Sequence, residues 1–178
     1  MDKELKARLT PLALTAGVVA ADQLSKWAIT QTVRPWTIGA SFFGDFFQIV
    51  RVYNPAIAFS IGSGLSSDLR RVLFGLMPLV GIAVVLVLYF RSKDMRPFHR
   101  WCLAGVVGGG IGNLIDRFFR PEGVLDFLDF KFYGILGFDR WPTFNLADAS
   151  IVVAGALLLL SLLREARGAK GEKEGTRG

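Results

Sequence analysis

The chain has 178 residues, is 52% hydrophobic with mean hydropathy +0.42, and carries a formal net charge of +6. That hydrophobic content is high for a soluble domain, and basic residues that flank apolar runs instead of striping a polar surface argue against nucleic-acid binding. A single cysteine, Cys102, excludes an internal disulfide and a cysteine metal cluster, and the single histidine, His99, set among Arg96, Arg100 and Trp101, argues against a zinc site and a histidine-based catalytic triad.

Residues 1–10 are basic, with Lys3, Lys6 and Arg8, and an apolar stretch from Pro11 to about Ile29 follows. No small-x-small cleavage site precedes Lys26, so the stretch reads as a retained first span and not as a signal peptide. Its outer part carries Asp22, Gln23, Ser25 and Lys26. In residues 31–68, Gln48-Ile49-Val50-Arg51-Val52-Tyr53 is β-prone and Asn54-Pro55 marks a turn, so a small sheet at the membrane face is expected. Ser60 to Ser67 is rich in Gly and Ser. Leu69 to Phe90 is the second span, with Pro78 inside it, and residues 91–100 are a basic loop in which His99 is read as interfacial. Trp101 to Phe119 is the third span; Cys102 reads as packing, and Gly105, Gly108, Gly109, Gly110 and Gly112 allow a neighbouring helix to come close. Residues 120–143 form an outer loop, Asn145 to Leu163 is the fourth span, and the Gly-rich tail beyond Arg164 is expected to be disordered.

The fold expected is therefore an all-α integral membrane protein with four transmembrane helices, a small extracytoplasmic β-rich platform and an outer loop. The spans lie at about 11–30, 69–90, 101–119 and 145–163, within one domain of residues 1–164, followed by a cytoplasmic tail at 165–178. Residues 1–10, 91–100 and the tail from Arg164 carry net +6 between them, and the rest of the chain nets zero. The positive-inside rule then puts both termini in the cytoplasm and both long loops outside.

Several polar clusters gather on the outer side. Asp126, in Val124-Leu125-Asp126-Phe127, and Asp148, at the start of the fourth span, are carboxylates near the hydrocarbon boundary, where desolvation is costly and function is the default reading. One as base and one as acid, sharing a water, would be aspartyl chemistry. The plainer alternatives are that Asp148 complements the helix dipole and that Asp126 lies on a strand edge. Asp22 and Lys26, four apart, share a helix face, either as an ion pair or as one wall of a site. Asn113, Asp116 and Arg117 sit at i, i+3 and i+4; Arg117 can pair with Asp116 or with a carboxylate of another helix, which favours a scaffold role, with Asp116 as catalytic acid the competing assignment. Asn145, three residues before Asp148, is placed to cap the fourth helix.

At these residues the chain resembles the bacterial lipoprotein signal peptidase family (signal peptidase II). The matching pieces, in the family's order from about Ala20 to Val153, are Asp22-Gln23-Leu24-Ser25-Lys26, Tyr53-Asn54, the block from Gly108 to Arg117, Val124-Leu125-Asp126-Phe127 and Phe144-Asn145-Leu146-Ala147-Asp148. The resemblance implies Asp126 and Asp148 as catalytic aspartates, with Asp22, Lys26, Asn54, Asn113, Asp116, Arg117 and Asn145 as supporting polar residues. It implies an embedded aspartyl endopeptidase, needing no metal or cofactor, that cleaves prolipoproteins before a diacylglyceryl-modified cysteine. Its partners would be those precursors and membrane lipids, and it would act as a monomer in the bacterial inner membrane. The family usually carries Asn-Thr-Gly-x-Ala-Phe, where this chain has Asn54-Pro55-Ala56-Ile57-Ala58-Phe59; Pro55 lacks an N–H and Ala56 replaces a flexible glycine, so fit near this loop is expected to differ. Phe138-Asp139-Arg140-Trp141 is read as an aromatic flap or membrane anchor. The competing functional class is a small cation-coupled transporter using the intramembrane aspartates, against which the chain shows no internal repeat; a non-catalytic scaffold explains the spans but not the convergent acids.

Overall fold

The computed structural model describes residues 3–54 and 67–175. The family-divergent loop at Pro55 and Ala56, and the Gly- and Ser-rich segment after it, lie outside the described residues. A short helix α1 (Lys3–Leu9) leads into α2 (Leu12–Thr32); strands β1 (Ile38–Phe42) and β2 (Phe47–Asn54) follow, then α3 (Ser67–Arg91), α4 (Pro97–Phe119), β3 (Val124–Phe130), a 3-10 turn (Ile135–Gly137) and α5 (Leu146–Gly175). The shortest of the four long helices has 21 residues. At about 1.5 Å per residue that is enough to cross a hydrocarbon core of about 30 Å.

Among the described helices only α5, at Leu146–Gly168, is apolar enough over such a length by hydropathy alone, with a mean of 2.3 over its apolar stretch. In α2 and α4 the average is lowered by Asp22, Lys26, Asn113 and Asp116, and all four are buried inside the bundle. The surface is apolar instead: Leu24, Met77, Val80, Val84, Val152 and Leu159 are exposed, as lipid-facing residues should be. Pro78 lies inside α3 without ending it.

Helix α4 is the centre, packed against α2, α3 and α5. Its glycines make this possible, and between them they face all three neighbours. A Cβ at Gly108 would lie 3.1 Å from the Thr15 carbonyl of α2, one at Gly110 2.7 Å from Ile82 of α3, and one at Gly105 3.0 Å from Ala154 of α5. A Cβ at Gly109 would collide with the Ala147 carbonyl in the first turn of α5. Helix α4 also begins earlier than its hydropathy suggests, at Pro97, because proline suits a first helical turn whose N–H has no partner in any case. His99 is therefore helical, with Nε2 3.1 Å from Ser161 Oγ of α5 and 3.2 Å from Glu165.

Past Leu163, where composition suggests a disordered tail, α5 continues to Gly175. Ala, Arg, Lys and Glu are good helix formers, and Glu165 is tied to Arg96 at 2.7 Å.

The three strands form one antiparallel sheet in the order β1-β2-β3. The β1–β2 hairpin turns through Phe43 and Gly44, both with positive φ. Between the pairs Ile49↔Leu128 and Val52↔Asp126, two residues of β2 oppose the single residue Phe127, a bulge. The Phe127 and Leu128 N–H groups donate to the Phe144 carbonyl on the other edge, at 3.1 and 2.8 Å. Phe144 is thereby pinned beside Asp126, and α5 starts two residues later. The Phe138–Trp141 segment folds back on the sheet: Arg140 Nε donates to both Asp129 oxygens at 2.9 and 2.8 Å, and Phe138 and Trp141 meet edge to face at 6.0 Å.

Candidate active site

Two polar layers lie where α2, α4 and α5 meet the sheet. The deeper one is ionic. Lys26 Nζ lies 2.8 Å from Asp22 and 2.9 Å from Asp116, and all three side chains are wholly buried. Buried charges must be both paired and hydrogen-bonded, and every element packed against these supplies a donor. Asp22 accepts the Ala147 N–H at 3.1 Å, and Asp116 accepts the Leu125 N–H at 3.0 Å and Arg120 Nε at 2.9 Å. Gln23 Nε2 donates to Asp22, Asp116 and the Gly112 carbonyl at 3.1 to 3.2 Å. Asp116 is saturated with donors and faces no open space, so the geometry favours the scaffold role over that of catalytic acid.

The shallower layer holds Asp126 and Asp148, joined by two amides. Asn145 Nδ2 donates to Asp126 Oδ1 at 2.7 Å and to Asn113 Oδ1 at 3.1 Å; Asn113 Nδ2 donates in turn to Asp148 Oδ1 at 2.7 Å. Asn145 also caps α5. Its Oδ1 accepts the Asp148 N–H at 2.9 Å while the Asp148 carboxylate accepts the Asn145 N–H at 3.2 Å, a capping box with aspartate as the acid. One asparagine therefore starts the helix, orients Asp148 and touches Asp126. Asn113 Oδ1 also accepts from Lys26 Nζ at 3.3 Å, which couples the two layers. Asn54, the last residue of β2, hydrogen-bonds Asp126 through its side chain.

Asp126 is 3% exposed. Its burial, and then the negative charge of Asp148, push its carboxyl up to about 7, against the Asn145 hydrogen bond, the Lys26 charge and the Asn54 hydrogen bond. Such a carboxyl holds its proton in mildly acid solution, is about half protonated at neutral pH and loses the rest as pH rises above about 7. Asp148 is half-buried and lies at one end of a cavity of about 380 Å³ between α3, α4 and α5. Pro78, Ile82, Val106 and Ile151 make its walls apolar, and Asn113, Arg117 and Asp148 supply the polar end.

Arg117 departs from the pairing with Asp116. Side chains one residue apart on a helix point in different directions, and Asp116 takes Lys26 and Arg120 instead, the latter at i+4. The Arg117 charge acts first on Asp148 and then on Asp126, and its Nε has no hydrogen-bond partner among the described residues. All nine residues singled out from the sequence thus fall in or around these two layers, with Asp22 and Lys26 in the deeper one. Sequence reading passed over Gln23 and Arg120 as site residues. Arg120 had a signal, its i+4 spacing from Asp116; Gln23 had only its place beside Asp22.

Comparison with known proteins bears on this geometry. A family model described as signal peptidase (SPase) II matches residues 14–164. A lipoprotein signal peptidase of Treponema pallidum is 47% identical over 90% of this chain and 86% of its own length. Those of Borrelia turicatae and Treponema denticola are 45% and 42% identical, covering 80% and 86% of this chain and 83% and 88% of theirs. Among solved structures, a bacterial membrane enzyme determined by the in meso method at 1.9 Å superposes with a TM-score of 0.73 at 26% identity, over 86% of this chain and 92% of its own.

Proposed function

This chain belongs to the signal peptidase II family, and on that premise we propose that Asp126 and Asp148 are its catalytic pair. The protein is a multi-pass inner-membrane aspartyl endopeptidase that removes the signal peptide from diacylglyceryl-modified prolipoproteins. The observation that carries the assignment is the Asn113–Asn145 bridge, which holds two carboxyls in one hydrogen-bonded unit, with Asp148 lining an apolar cavity.

The roles follow from the environments. Asp126 carries the shared proton near neutral pH. Asp148, held by Asn113 and the Asn145 N–H, takes a proton from a water as the water oxygen attacks the carbonyl carbon before the lipid-modified cysteine. Asp126 gives its proton to the carbonyl oxygen. As the tetrahedral intermediate collapses, the C–N bond breaks, the cysteine nitrogen leaves as an amine with a proton from the pair, and the signal peptide ends in a new carboxyl group. Arg117, beside Asp148, offers donors to the substrate backbone. The substrate enters sideways from the bilayer, because extracting a signal helix or acyl chain from hydrocarbon would be costly. The net +6 on the termini and the 91–100 loop supports an outward-facing sheet and catalytic pair, with both termini in the cytoplasm.

The test is cleavage of a purified diacylglyceryl precursor by detergent-purified Asp126→Asn and Asp148→Asn, read beside their melting curves. Each is expected to lose about 100-fold or more in turnover at unchanged stability, and the double variant little more, since the pair acts as a unit. Turnover of the parent should fall on the alkaline side through about pH 7, as Asp126 loses its proton. Robust cleavage by either asparagine variant would defeat the assignment.

A further inference from the structure

Arg51 lies away from both polar layers, in the bulge of β2 opposite Phe127. A bulge re-aims a side chain, and here it turns the guanidinium back toward α2. Nη1 donates to the Thr30 and Val33 carbonyls at 3.0 and 2.9 Å, while Nε and Nη2 donate to the Tyr53 hydroxyl at 3.0 and 2.6 Å. The Thr30 carbonyl belongs to the last turn of α2 and the Val33 carbonyl to its C-cap, where carbonyls have no intrahelical partner. No glycine follows to close that end: Val33 is extended, and Arg34-Pro35 come next. A cation at a helix C-terminus is also favoured by the dipole. The main chain around Arg51 is tied as well. Its carbonyl accepts the Trp36 N–H at 2.7 Å, its N–H donates to the Thr37 carbonyl at 3.1 Å, and Trp36, at φ 62°, packs edge to face on Tyr53 at 6.0 Å.

What this clamp holds matters for the chemistry. Tyr53 is buried and pairs with Leu125, whose N–H bonds Asp116 and whose carbonyl accepts from Asn145. Val52 pairs with Asp126 itself, and Asn54, next to Tyr53, makes the side-chain hydrogen bond to that carboxyl. We propose that Arg51 is a positioning residue: by clamping the end of α2 to the Tyr53 hydroxyl, it sets β2 so that Asn54 keeps its hydrogen bond to Asp126. The proposal rests on Asp126 being half of the catalytic pair. It assigns Arg51 and Tyr53 an influence on the reacting proton without contact to the substrate.

The charged and polar groups facing Asp126 are Asn54 of β2, Asn145 and Asp148 of α5 and Lys26 of α2, with Arg117 of α4 in Coulombic range. Substitutions at Arg51 and Tyr53 alter none of these residues themselves. Arg51→Lys keeps the charge but cannot fork to two carbonyls and a hydroxyl together. Tyr53→Phe removes only the hydroxyl. The sign follows from the Asn54 hydrogen bond, which favours the ionised carboxyl. Loosening it strengthens proton binding by Asp126 and moves the alkaline limb of the pH–turnover profile upward.

The experiment measures kcat and KM for the diacylglyceryl precursor from pH 5 to 9 on the detergent-purified full chain, with melting curves. In both variants the alkaline limb is expected to shift up by about half a pH unit, with KM little changed. An unmoved limb in both variants, whatever the melting temperature, overturns the proposal and leaves Arg51 as a helix cap. If Arg51→Lys does not fold, Tyr53→Phe decides by the same criterion. An active Asp126→Asn enzyme would instead overturn the catalytic pair, so the two failures are distinguishable.

Discussion

Replacing Lys26 by methionine isolates the energetics of the deeper layer. Methionine is unbranched and one atom shorter than lysine and keeps most of its volume, so the change removes a charge more than it opens a cavity. Two carboxylates with no solvent exposure, at 2.8 and 2.9 Å from Nζ, lose their shared cation. Removing one partner of a buried pair costs about 3–5 kcal/mol. One lysine serving two acids argues for the upper end, although Arg120 and the Ala147 and Leu125 N–H groups remain as donors. At about 2–4 °C per kcal/mol for a chain of this size, the melting temperature should fall by roughly 10 °C or more. The chain supplies its own reporter. Cys102 is its only cysteine and is buried, so a thiol-reactive fluorogenic dye reads opening of the bundle. Combining Lys26→Met with Asp22→Asn should recover part of the loss, because the two residues share one network. Asp116→Asn should likewise lower the melting temperature while the folded fraction still cleaves. A Lys26→Met protein melting within about 2 °C of the parent would refute this account of the network, and a stable but inactive Asp116→Asn would move the catalytic acid to α4.

Arg117→Lys should lose about tenfold or more in turnover, about 1.4 kcal/mol of barrier, at an unchanged melting temperature, since the planar fork beside Asp148 is replaced by a point charge; equal rates at equal stability would reduce Arg117 to an interfacial charge. Gly109→Val should lower stability and activity together, because its side chain would meet the Ala147 carbonyl and Ile151 and push away the turn of α5 that carries Asp148. Gly17→Ala, with nothing within 4 Å of the added carbon, should melt and cleave like the parent.

The parts of this molecule that could be read from its sequence are those where local chemistry and membrane physics agree. Apolar runs located the four long helices, and a β-prone run with a following turn located β2. The spacings of Asp22 with Lys26 and of Asn145 with Asp148 gave contacts that the structure shows at 2.8 and 2.9 Å. What could not be read depends on which neighbour a side chain meets. Asp116 and Arg117 are adjacent in sequence but point apart, and only the position of α2 decides that Asp116 takes Lys26. The tail looked disordered because its glycines and charges were weighed by themselves, without the helix that runs into it or Arg96, a residue of another segment that holds Glu165. Arg51 gave no signal at all, since one basic residue in a strand is common and its acceptors are backbone carbonyls at the end of a different helix. The same reasoning explains why hydropathy understates α2 and α4. In lipid a helix may be uniformly apolar only if it has no polar work inside the bundle, so charges that lower the average mark the seam where helices meet. In this chain that seam runs from Asp22 through Asn113 and Asp116 to Asp148, and the carboxyl pair sits where it reaches the sheet.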